Sequence, residues 1–181
     1  MNHYAALLRA VNLGPHNRVP MSELRTLLTK LGMKDPQTLL QSGNAVFRSD
    51  LATPAEIEQK LEGGCTKHLK VTTEFFVRTV KELEAVIASN PFPQEAEQDP
   101  GHLLVLFLKD APTRASVTAL QSAIVGRETV KAVGRQAYFV YPDGVGNSKL
   151  TINVIERKLG TRGTGRNWNT VRKLTALLKS L

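Results

Sequence analysis

An α+β fold of two similar halves with antiparallel sheets is what this sequence predicts. Three observations carry the prediction. Residues 1–79 read as strand, helix, strand, strand, helix, strand, the split βαβ order of ferredoxin-like units. Residues 80–181 then begin that order again. Two capping boxes, Thr53-Pro-Ala-Glu56 and Thr79-Val-Lys-Glu82, fix where two of the helices start.

Each element has a local reason. Residues 3–11 form an apolar strand around Ala5, Leu7 and Leu8, followed by a loop bearing Asn12, Gly14, Pro15 and Asn17. Over 21–31, Leu24, Leu27, Leu28 and Leu31 share one helical face, and Gly32 stops the helix. Short strands at 38–41 and 45–48 flank Ser42-Gly43-Asn44, a tight turn signal. The helix opened at Thr53 ends at Gly63-Gly64, and a strand follows at 74–79. The helix opened at Thr79 runs to Ser89, where Asn90-Pro-Phe-Pro93 breaks it. Residues 94–101 are acidic and Pro-bearing; they read as a loop and a seam between the halves. A strand at 102–108, a helix at 113–125, strands at 129–133 and 136–141, and helices at 148–159 and 168–180 complete the chain. The halves are 1–79 and 80–181, and a chain of this length can also close them around one core.

Composition narrows the function classes. The 181 residues are 41% hydrophobic and 22% charged, an ordinary globular mix. No apolar run approaches the roughly 20 residues of a membrane-spanning helix. A single cysteine, Cys65, excludes an internal disulfide and points to a reducing cytoplasm. His3, His16, His68 and His102 have no metal-ligand spacing, and neither a dinucleotide fingerprint nor a phosphate loop is present, so no metal or cofactor is implied. Glu56, Glu58, Glu62, Glu82 and Glu84 read as solvated helix faces. The net charge is +8 with a pI near 9.8. Almost all of it lies in residues 149–181, where eight Lys or Arg face one acid, Glu156, for +7. Anionic partners follow from such a bias.

Three polar stretches sit where loops meet regular elements: Leu8-Arg9-Ala-Val-Asn12-Leu-Gly14, Gln41-Ser42-Gly43-Asn44, and Arg166-Asn167-Trp168-Asn169-Thr170. The last lies in a Gly-rich, donor-rich segment running into a helix, and a helix N-terminus beside an Arg suits an anion. Two readings of it stay open. Asn167 caps the helix, Trp168 starts its buried stripe and Arg166 is solvated; or Arg166, Thr164, Thr170 and the helix N–H groups hold a phosphate or carboxylate. The turn at 41–44 is either ordinary turn chemistry or one wall of a cleft shared with Arg9 and Asn12.

On these motifs the chain resembles the bacterial family of domain of unknown function 1697, whose members share a Leu-Leu-Arg-Gly-Ile-Asn-Val-Gly-like start, a Gln-Ser-Gly-Asn hairpin and a Thr-x-Arg-Asn-Trp-x-Thr motif before the last helix. Ala10 and Pro15 stand where the family uses Gly. The resemblance implies a duplicated ferredoxin-like fold and no established activity.

The expected ligand-binding residues are Arg9, Asn12, Gln41, Ser42, Asn44, Arg166, Asn167, Trp168 and Thr170. The expected ligand is anionic, either nucleic acid or a phosphorylated small molecule, met through the basic C-terminal region. An enzyme or sensor for a small anionic metabolite is the alternative, although the motifs supply no general base. A purely structural or interaction module is the third reading.

Overall fold

The computed structural model describes residues 1–12 and 18–181; Leu13, Gly14, Pro15, His16 and Asn17 of the first loop lie outside the described residues. The chain forms two compact units, Met1–Ala85 with Lys173–Leu181, and Val86–Arg172. The division falls six residues beyond the expected 79/80 boundary, inside a helix, and the last residues go with the first unit.

The first unit comprises β1 (Asn2–Leu8), α1 (Met21–Lys30), β2 (Lys34–Leu39), β3 (Asn44–Ser49), α2 (Pro54–Gly64) and β4 (Phe75–Thr79). Its sheet is antiparallel in the order β2-β3-β1-β4. Tyr4, Ala6 and Leu8 of β1 point to one face, as period two requires, and meet Leu24, Leu27 and Leu28 of α1 and Ile57 and Leu61 of α2. The capping box that opens α2 is formed: Glu56 N donates to Thr53 Oγ1 at 3.3 Å and Thr53 N to Glu56 Oε2 at 3.0 Å. The α-helix ends at Gly64, as expected, but the chain does not leave the helical path there. The chain continues as one π-helical turn, Cys65–Leu69, and leaves it only at Lys70, with φ +58°. Gly64 also serves packing, since a Cβ there would lie 2.5 Å from Leu31 Cδ1.

Helix α3 (Val80–Ala88) follows β4 directly, opened by the Thr79/Glu82 box, with Thr79 N donating to Glu82 Oε2 at 2.8 Å. Residues 94–101 are not a loop. They hold α4 (Pro93–Gln98) and a 3-10 turn at Pro100–His102, because Pro93 occupies the first helical position, where a missing N–H costs nothing.

The second unit continues with β5 (Leu103–Leu108), α5 (Arg114–Ser122), β6 (Thr129–Val133), β7 (Gln136–Val140), α6 (Ile152–Leu159), β8 (Gly163–Asn167) and α7 (Trp168–Lys179), whose last turns belong to the first unit. Its sheet runs β6-β7-β5-β8, also antiparallel. Leu106, Leu108, Leu120, Phe139 and Ile155 are at the centre of its core. Strand β8 is the strand sequence reasoning missed; a Gly-rich stretch lacks strand propensity. A Cβ on Gly163 would come 2.9 Å from the Leu106 side chain and one on Gly165 3.1 Å from Leu104, so the glycines admit the leucines of β5. The two sheets are thus the same arrangement, each strand of the second standing where the strand four earlier stands in the first.

Among the described residues no helix is long and apolar enough to cross a membrane.

Candidate functional site

The first two polar motifs meet in the first unit. Asn12 is their tie. Its Nδ2 donates to Val19 O at 3.0 Å and to Gln41 O at 2.7 Å, and its Oδ1 accepts from Val19 N at 2.9 Å. The turn is pressed against β1: Leu8 N donates to Gly43 O at 2.8 Å, and a Cβ on Gly43 would lie 2.7 Å from Val11 Cγ2. Gly43 has φ +76°, so this position needs glycine twice over, for space and for conformation. Asn44 is buried and donates through Nδ2 to Leu39 O and Ser42 Oγ, both at 2.9 Å. Three non-glycine residues here are left-handed: Ala10 at φ +52°, Asn12 at +57° and Leu40 at +60°. That conformation costs a side chain about 1 kcal/mol or more, and it concentrates at this one end of the sheet.

Arg9 leaves β1 beside this turn. Its N–H donates to Glu74 O at 2.9 Å, its carbonyl accepts from Thr73 Oγ1 at 2.7 Å, and its guanidinium lies 3.7 Å from the Glu74 carboxylate. Asn12 and Asn44 spend their amide hydrogens on backbone and hydroxyl partners that shape the loops. Gln41 and Ser42 face solvent, and Arg9 is half-buried, its guanidinium on the β4 side beside Glu74.

The third motif lies in the second unit. Asn167 caps α7 through Oδ1, which accepts from Asn169 N at 3.0 Å. Its Nδ2 donates to Gly101 O at 2.8 Å and ties the helix start to the 3-10 turn. Trp168 is buried, Thr170 half-buried and Asn169 exposed. Arg166 is not solvated. It is 7% exposed, and its Nη1 donates to Thr164 Oγ1 at 2.9 Å and Gly165 O at 2.8 Å. Burial pushes the guanidinium down to about 10. The exposed cations of this end are instead Lys149, Arg157, Lys158, Arg162 and Arg172.

A model of the family described as "Protein of unknown function (DUF1697)" matches residues 1–138. The chain belongs to that family. A solved structure, that of the conserved bacterial protein SP0830 from Streptococcus pneumoniae, is 24% identical, covers 98% of each chain and superposes with a TM-score of 0.74, which shows the fold. No curated protein matches the chain.

Within this DUF1697 frame sequence reading missed two sets of residues. Arg78 is one. It pairs with Ala5 across β4/β1 just as Arg166 pairs with Val105 across β8/β5, and each Arg stands two residues before the following helix. Arg78 is 2% exposed and its Nη1 donates to the preceding carbonyl, Val77 O, at 2.9 Å, as Arg166 does to Gly165 O. The other set is the helix carboxylates. Glu62 accepts from Phe75 N at 2.9 Å, Glu58 from Val77 N at 2.7 Å and Glu156 from Gly163 N at 2.9 Å. These acids are not solvated faces. They close the open edges of β4 and β8, which would otherwise present bare amides to another chain. The i, i+4 spacing of Glu58 and Glu62 was the available signal, since it places both on one helical face.

Proposed function

We propose that this DUF1697 chain binds an anionic polymer, nucleic acid, through the basic face of residues 149–172. One observation carries the reading. Five cations of that stretch are exposed, and its single carboxylate, Glu156, is turned away to the β8 amide. With six Lys or Arg against one acid the stretch is +5, and a net positive segment is how backbone-directed phosphate binding begins. Among the described residues no strand offers an exposed aromatic platform, so contacts go to phosphate and binding is indifferent to sequence.

The test is fluorescence anisotropy with labelled single- and double-stranded RNA and DNA at 50 and 200 mM salt. Arg157→Gln, Lys158→Gln and Arg172→Gln together remove three surface charges and touch no buried group. Binding that falls steeply with salt, roughly a hundredfold or more for five contacts, and is lost in the triple variant is the expected result. Binding unchanged by the triple variant, or none at 50 mM salt, overturns the reading.

A small phosphorylated metabolite at Arg9, Gln41 and Ser42 is the second reading, favoured by the bond from Asn12 Nδ2 to the Gln41 carbonyl, which joins the first loop to the turn that carries Gln41 and Ser42. Under it, thermal shift with phosphorylated compounds raises Tm in the parent chain and not in Gln41→Ala.

A further inference from the structure

The sheet of the second unit ends on β6, whose outer side carries no strand. The outward groups of β6 can be read from its contacts. Gln121 Nε2, from α5, donates to Val130 O at 3.0 Å, so that carbonyl points away from β7. Antiparallel pairing alternates, and the N–H and C=O of Ala132, two residues on, therefore also point outward. Gln121 supplies one bond of the kind a neighbouring strand would supply, and the ladder stops there. Beside this edge runs a groove of about 550 Å³, between β6 and α5. Pro112, Val117 and Ala132 give it an apolar floor, and Arg114 and Lys131 give it charge; no carboxylate lines it. Val133, 38% exposed, adds an apolar contact at the end of the strand. Lysine on an edge often serves to block pairing. Here Lys131 Nζ is drawn aside over the Phe92 ring, 4.9 Å from its centroid, and leaves the backbone accessible.

We propose that this groove takes an extended acidic peptide, which pairs with β6 as a fifth strand. Its main chain bonds to Ala132, its apolar side chains lie on the α5 side against Val117, and its carboxylates, on the opposite face by period two, meet Lys131. Edge addition of this kind draws affinity from main-chain bonds and specificity from alternate side chains. An alternating ladder of N–H and C=O matches both the donor and the acceptor of a peptide main chain, whereas a phosphate can use only the N–H. None of the residues that line the groove lies in 149–172, so the variants that test one reading leave the residues of the other unchanged.

The probe is a fluorescein-labelled Glu-Val-Glu-Val-Glu-Val peptide, acetylated and amidated, added to the full chain. Ala132→Pro deletes the outward N–H, keeps the Cβ and changes no charge, at the kind of site where an edge strand accepts proline. The expected results are a roughly tenfold weaker affinity in Ala132→Pro, and weaker, less salt-sensitive binding in Arg114→Gln/Lys131→Gln. Equal affinity in Ala132→Pro with an unchanged melting curve overturns the proposal, because charge alone would then account for binding. So does displacement of the peptide by single-stranded RNA of matched charge at lower concentration. Should Ala132→Pro not fold, amide exchange in the parent chain decides: protection of the Ala132 amide by the peptide supports strand addition, and its absence overturns it.

Discussion

The two sheets share strand order, register and a buried arginine, yet they place their volume differently. In the first unit the central strand is small at Ala6 and the edge strand large: Ala6 on β1 faces Val77 on β4, and Leu8 faces Phe75. In the second the central strand is large and the edge strand empty: Leu106 on β5 faces Gly165 on β8, and Leu108 faces Gly163. The frame is therefore set by pattern and hydrogen bonding, and the filling of each sheet by trade between adjacent strands. What did not change is the arginine two residues before the helix, Arg78 in one unit and Arg166 in the other, with the same bond to the preceding carbonyl. A side chain kept through such repacking marks a position where the frame itself needs it.

The largest expected effect tests that arginine. Arg78→Ala and Arg166→Ala each lose a long buried stem and leave partners unmatched, for about 3 kcal/mol. Arg→Met at either place restores volume without the hydrogen bonds and recovers part of the loss. Denaturant melts of the four variants measure this. Near-equal costs in the two units would sharpen the equivalence. A cost below about 1 kcal/mol for Arg166→Ala beside a large one for Arg78→Ala would break it, and would mark Arg166 as held in place for a ligand rather than for the fold.

The traded volume gives the next prediction. Gly163→Val puts a Cβ against Leu106 and is expected to cost about 2 kcal/mol. Leu106→Ala with Gly163→Val imitates the first unit, where Ala6 and Phe75 hold the equivalent places. The double variant should then be more stable than the sum of the single costs by about 1 kcal/mol. Strict additivity would show that the strands do not exchange volume.

This same division explains what could be read from the sequence. The capped helices were legible because Thr53-Pro-Ala-Glu56 and Thr79-Val-Lys-Glu82 act within one turn of chain. The junction of Asn12 with the 41–44 turn was legible only as two polar stretches; the 2.7 Å bond that joins them is a product of the β1–β3 register. Strand β8 was not legible, because its glycines acquire meaning only against Leu104 and Leu106 of another strand. Nor was Arg78, a cation in an apolar strand that looks locally like any strand residue near its exit. The edge-closing carboxylates were hidden for a similar reason, since Glu58 and Glu62 cap amides 19 and 13 residues away.

The smallest effect separates the units by pH. Cys65 follows Glu62 by three residues in the first unit, and Leu159 follows Glu156 by three in the second. Burial, aided by the Glu62 charge, raises the Cys65 thiol from 9.0 to about 11. The unfolded chain therefore ionises first as pH rises. The folded state holds the extra proton, so this contribution to stability is whole below pH 9 and is lost progressively toward pH 11, by about 1 kcal/mol at pH 10. In the second unit the buried hydroxyls are Tyr138 and Tyr141, each raised by burial from 10.0 to about 12, while Arg166, lowered by burial to about 10, acts in the opposite sense. The loss carried by the tyrosines begins a pH unit later. Hydrogen exchange against pH, corrected for intrinsic rates, should show amides of the α2–β4 region weakening from pH 9, before those of β5 and β7. Cys65→Ala lowers the plateau by its cavity but flattens the slope between pH 9 and 10, and the slope is the decisive quantity. A slope unaltered by that substitution would mean the thiol does not carry the alkaline loss, and the contrast between Cys65 and Leu159 would be one of packing alone.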